Sequence, residues 1–157
     1  ISFFLKAVVT GSRTAQASAG HPVSGASTVT FTNSGAVEAT LPTGGTPAAL
    51  SGSYTDPVSP QADESGVLLG QVVALTLSVT FDLYDPAFGA SAVNLKDLKA
   101  VSGDFAGWTV AQTLAEGNTI LGGGASAYTA SQINNAISSI NENFVDGTMV
   151  GTYLMLP

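Results

Sequence analysis

The sequence predicts a mainly β fold: an antiparallel β-sandwich with two short helices inserted near its C-terminal end, built by residues 1–157 as one domain. Three observations carry this expectation. Apolar and polar residues alternate at period two in the strongest segments, and Gly- and Pro-rich stretches punctuate the first half. Two capping-box helix starts, at Thr109 and Thr129, follow in the second half, after a short helix expected beyond Asn94 with Asp97 in its first turn. A chain of 157 residues is long enough to bury a core without metals or disulfides, and it contains no Cys with which to make a disulfide or a thiolate metal site.

In chain order, Phe3, Leu5, Ala7 and Val9 fall on one face of an opening strand and Phe4, Lys6 and Val8 on the other. Both faces are apolar enough for a central or partner-covered strand. After a Ser/Gly/Ala/Pro stretch at residues 11–27, Thr28–Thr32 and Ala36–Leu41 form a hairpin pattern joined by Asn33-Ser34-Gly35, with Gly35 free to take positive φ. Residues 42–66 hold Pro42, Pro47, Pro57 and Pro60 with Gly44, Gly45 and Gly52, which predicts a long loop across the end or edge of a sheet. Gln71–Asp82 is the clearest strand: Val73, Leu75, Leu77, Val79 and Phe81 alternate with Ala74, Thr76, Ser78, Thr80 and Asp82.

The period then changes. Thr109-Val-Ala-Gln112 and Thr129-Ala-Ser-Gln132 each match the capping box, in which the Thr hydroxyl takes a first-turn amide and Gln reaches back to the cap. They predict one helix over Val110–Leu121, stopped by Gly122-Gly123-Gly124, and a second over Ala130–Phe144 with Ile133, Ile137, Ile140 and Phe144 on one stripe. Asp146-Gly147 turns the chain into a last apolar strand, Met149–Leu156.

Composition narrows the function. Only 10% of residues are Asp, Glu, Lys or Arg, against about 25% in an ordinary soluble domain, and the mean hydropathy is +0.33. From Thr14 to Tyr54 the only formally charged side chain is Glu38. Such a surface suits lasting burial against neighbours better than free diffusion in a crowded cytosol. Lys6, Arg13, Lys96 and Lys99 are the whole basic complement of a chain with net charge -7, so nucleic acid is excluded as a partner and an anionic membrane attracts it poorly. No run reaches the roughly 18 apolar residues of a membrane span. No signal peptide precedes Ile1, which suggests a segment cut from a precursor or a longer chain.

No catalytic constellation stands out. The single histidine, His21, lies in a Gly/Ser/Ala stretch before Pro22 with no nucleophile elbow nearby. Asp82, Asp85, Asp97 and Asp104 offer carboxylates, but a glycosidase needs two placed in a cleft and calcium needs six or more oxygens. Calcium is the one cofactor worth weighing, and the EF-hand spacing is absent. Turn and cap roles for these Asp residues are the simpler expectation. Gly122-Gly123-Gly124 lacks the Lys-Ser/Thr of a phosphate loop and follows a helix instead of preceding one. Trp108 suits a core anchor better than a sugar platform.

One resemblance adds to this. Asn94-Leu-Lys-Asp-Leu98, Ser102-Gly-Asp-Phe-Ala-Gly-Trp-Thr-Val110, Ile120-Leu-Gly-Gly123 and Ser138-Ser-Ile-Asn-Glu-Asn-Phe-Val-Asp-Gly-Thr148 resemble a module of large secreted, cell-surface proteins of gliding and other environmental Gram-negative bacteria. Gln71–Leu77 and Asp85–Gly89 belong to the same pattern, which spans about residues 60 to 152. The resemblance implies an extracellular or cell-surface location, a module repeated among adhesive or fibrous proteins, and no catalytic residues. In that family a Cys often follows the Leu-Gly-Gly run; Gly124 stands there here, so a disulfide-bearing variant does not apply.

Together these readings point to a non-catalytic structural subunit or module of a filament, sheath or adhesive fibre. Its partners are other copies of itself or neighbouring modules. The expected subunit-interface residues are Phe3, Phe4, Leu5 and Val8 at one end and Met149, Tyr153, Leu154 and Leu156 at the other, where an end strand completes a neighbour's sheet. A second class stays open: a monomeric adhesin or carbohydrate-binding module that meets a glycan through Trp108, Tyr84 or Tyr128.

Overall fold

The computed structural model describes residues 8–10, 27–85, 93–147 and 151–157. Strand β1 (Val8–Thr10) pairs antiparallel with β2 (Thr28–Thr30), with Val8 opposite Thr30. Helix α1 (Ser34–Thr40) follows, then β3 (Tyr54–Thr55), parallel to β2 with Val29 opposite Tyr54. The long helix α2 (Val67–Tyr84) leads through a 3₁₀ turn at Leu95–Asp97 into β4 (Lys99–Ala100). Helices α3 (Val110–Leu121) and α4 (Ala130–Asn141), a 3₁₀ turn at Glu142–Gly147 and β5 (Leu154–Met155) complete the order, with β5 antiparallel to β4.

The β-sandwich expectation is wrong. Among the described residues the strands are two or three residues long, while α2 alone has 18 residues and packs against α3 and α4. The core is the junction of those three helices: Leu68, Leu69, Val72, Val73 and Leu75 of α2, Val110, Ile120 and Leu121 of α3, and Ile133, Ala136, Ile137 and Ile140 of α4. Val29, Phe31, Leu50 and Phe105 close it from the strands and loops. At the crossing, a Cβ on Gly117 of α3 would lie 2.6 Å from Ile137 Cδ1 and 3.3 Å from Val72 Cγ2, so the absent side chain sets how near the helices come.

The misread segment is Gln71–Asp82. Its polar positions are small, and two of them satisfy their hydroxyls within the helix: Thr76 Oγ1 donates to the Val72 carbonyl at 2.7 Å and Thr80 Oγ1 to the Thr76 carbonyl at 2.6 Å. A helix apolar on all sides shows no face to a periodicity test, and β-branched residues then mimic a strand. The predicted hairpin fails for a related reason. Asn33 serves equally as a turn residue and as an N-cap, and here its Oδ1 accepts from the Ala36 amide at 2.9 Å and starts α1.

Both capping boxes form as expected, with Thr109 and Thr129 each accepting from the amide of the Gln three residues on. The glycine stop also forms: Gly123 has φ 78, its amide donates to the Ile120 carbonyl, and the Gly124 amide donates to the Thr119 carbonyl. The second helix is shorter than expected. Phe144 lies beyond α4, in the 3₁₀ turn, and is 40% exposed.

By length and composition α2 is able to cross a membrane, with a mean hydropathy of 1.6. Its first turns bury five large side chains in the core, while Phe81, Leu83 and Tyr84 at its C-terminal end are exposed.

Candidate functional site

Phe3, Phe4, Leu5 and Met149 lie outside the described residues, as does His21. Val8 sits in β1, where the backbone pairs with β2 of the same chain. Leu154 lies opposite Ala100 in the β4–β5 ribbon and packs partly against the core with Tyr153, while Leu156 is 67% exposed. The C-terminal segment is thus folded onto its own chain. Asn143, buried in the turn after α4, holds it: its Oδ1 accepts from the Tyr153 amide at 3.0 Å and the Leu154 amide at 3.2 Å.

The carboxylates do not converge. Asp82 accepts from the Leu95 amide at 2.7 Å and so fixes the 3₁₀ turn, Asp97 pairs with Lys96 at 2.7 Å, and Asp85 caps the end of α2. Among the described residues no three His, Asp or Glu side chains gather as metal ligands. A separate polar cluster joins Ser51, Tyr54 and Glu64, whose carboxylate accepts from both hydroxyls. The Ser51 hydroxyl, then that of Tyr54, holds this carboxyl below the usual range, so it stays ionised and already occupied.

Asp104 is different. It stands on the loop before α3, and its Oδ2 accepts from Gln132 Nε2 at 3.0 Å. That loop, α4 and the C-terminal segment enclose an open hollow of about 350 Å³, lined by Ser102, Asp104, Phe105, Gln132, Asn135, Ala136, Ser139 and Tyr153. Helix geometry explains the α4 wall. Gln132, Asn135 and Ser139 form a polar stripe at spacings of three and four, beside the core stripe of Ile133, Ile137 and Ile140. Burial, and after it the charge of Asp104, pushes the Tyr153 phenol above its ordinary value, so it keeps its proton.

Behind the hollow is an aromatic knot. Phe105 meets Trp108 edge-on at 5.2 Å and Tyr128 at 4.5 Å, and Trp108 meets Tyr128 edge-on at 5.6 Å. The structure therefore joins Trp108 and Tyr128 around Phe105, with both half-buried against the core, whereas Tyr84 is 72% exposed at the end of α2. Sequence reasoning did not find the hollow. Its one sequence trace was the run Ser131-Gln132-Ile133-Asn134-Asn135, where polar residues flank the core stripe. The hollow exposes hydroxyl, amide and carboxylate groups, while Phe105 and Ala136 beneath them are buried. No family model, no curated protein and no solved structure matches this chain.

Proposed function

We propose that the chain is a non-catalytic structural module that packs against other copies of itself, or against neighbouring modules, at or outside the cell surface. One observation carries the reading: formal charge is confined to 4 basic and 11 acidic residues out of 157, while Leu83, Val101, Met155 and Leu156 are exposed by 42% or more. A surface with few charges and several bare apolar side chains is poorly defended against association. No residue is assigned a catalytic role.

A route for assembly lies at β5. Among the described residues it is an edge strand, because β4 pairs with β5 on one side and bridges to Thr109 on the other. Edge main-chain groups accept a further strand, and Met155 and Leu156 supply apolar contacts beside them. Sedimentation velocity over a concentration series tests this. The full chain associates, and Met155→Asp with Leu156→Asp weakens association by about tenfold or more while leaving the fold intact. Equal association by the double variant would remove β5 from the interface, and a monomer throughout would remove the reading.

A further inference from the structure

We propose that β5 is exchanged between copies: residues 151–156 of one copy leave β4 of their own chain and lie on β4 and Asn143 of the next. The proposal rests on the assembly reading above and names the contact by which that assembly is made. A second copy is the fitting partner because the seat is already matched to this segment, in register and in hydrogen bonding.

The main-chain amides decide between the two ways in which β5 can join copies. A strand laid outside β5 needs free donors along it, and Asn143 has already taken several. Asn143 accepts from the Gly151 amide through its main-chain carbonyl at 2.6 Å, and from the Tyr153 and Leu154 amides through Oδ1 at 3.0 and 3.2 Å. Pro157 has no amide to offer. A strand added outside therefore forms only part of a ladder. Exchange re-forms all of these bonds in the next copy, together with the bond from the Val101 amide to the Tyr153 carbonyl at 2.9 Å and the pairing of Lys99 with Met155 and of Ala100 with Leu154. An element passed between identical chains loses no contact, which makes exchange a low-cost route to assembly.

The segment can also leave at small cost. None of residues 151–157 is fully buried, and the buried core belongs to the three helices and the strands and loops before them, so release of β5 leaves that core standing. The seat, by contrast, is poorly suited to stay empty: Tyr153 and Leu154 pack half-buried against the core, and Ala100 across the ladder is 1% exposed. Charge suits a copy as partner. The chain carries -7, but residues 151–157 carry no charged side chain, so this segment approaches another copy without like-charge repulsion of its own. Residues 144–150, which join Asn143 to Gly151, can span up to about 25 Å, enough to reach an abutting copy. Passed on in one direction, the exchange leaves a strand at one end of every assembly and a seat at the other, and so grows a fibre.

Disulfide trapping in the full chain tests this, because the chain has no Cys of its own. Lys99 and Met155 are partners across the ladder, at a separation a disulfide bridges. Chains with Lys99→Cys and chains with Met155→Cys are mixed in equal amounts, equilibrated under reducing conditions at an associating concentration, and then oxidised. Neither chain can close a disulfide within itself, and mass spectrometry separates the linked pairs. Mixed pairs, joining position 99 to position 155, are expected to exceed the like pairs by about tenfold, since only they have the right geometry. Ala100→Cys mixed with Leu154→Cys gives the same reading if the first pair disturbs the fold. Sedimentation of the same mixtures separates the two ideas. Association with mixed pairs at no more than their random proportion overturns exchange and leaves the assembly reading standing, whereas absence of association overturns both.

Discussion

Asn143 offers one carboxamide oxygen to two main-chain amides ten and eleven residues further on, and so ties the C-terminal segment to the end of α4. Removing it leaves two amides to find water or go unpaired. Asn143→Ala is expected to cost about 1–3 kcal/mol and to speed hydrogen exchange at the Tyr153 and Leu154 amides above that of the helices. Tyr153 offers a titration test. Its phenol is favoured in the protonated form when folded, so this group's stabilisation is complete below the ordinary tyrosine range and is lost as pH rises through the raised native value. Observed by NMR, Tyr153 should ionise later than an exposed tyrosine, and Asp104→Asn should move its titration back toward the ordinary value. Sequence showed that Tyr153 and Leu154 are apolar enough to pack. It did not show Asn143, because the partners are backbone groups that carry no residue identity.

Helix ends were legible where side chains make them. Thr109 and Thr129 each close a box with a Gln three residues on, a purely local geometry that folds the same way in any surrounding. Thr109→Ala and Thr129→Ala are each expected to lose about 1 kcal/mol in denaturant unfolding. The start of α2 was hidden because backbone makes it. Gly66 has φ 59 and ψ -152, and a Cβ there would lie 1.9 Å from the Thr46 carbonyl oxygen. Gly66→Ala should therefore cost about 3 kcal/mol or more, far beyond either cap variant, in the same unfolding measurement. The helix itself was misassigned through its middle. Val73 to Phe81 alternates like a strand, but the apolar character begins at Val67, and 18 residues is helix length. Length was the better witness than period.

At the scale of the molecule, composition outlasted topology. The sandwich rested in large part on Ala36–Leu41 and Gln71–Asp82, which the structure folds as helices, because a chain with few charges leaves little amphipathic contrast from which to read a period. The scarcity of charge itself is independent of fold, and it underlies the assembly reading. The hollow lay beyond sequence because its walls come from residues 102–105, 132–139 and 153, which meet only when β5 folds back beside β4. Electron microscopy of the full chain, at concentrations where sedimentation detects association, tests the structural reading most directly. Ordered particles or fibres with this chain as the repeat, dispersed by Met155→Asp with Leu156→Asp, are expected. Monodisperse single copies at about 1 mM, with no ordered assembly on the grid, would contradict it.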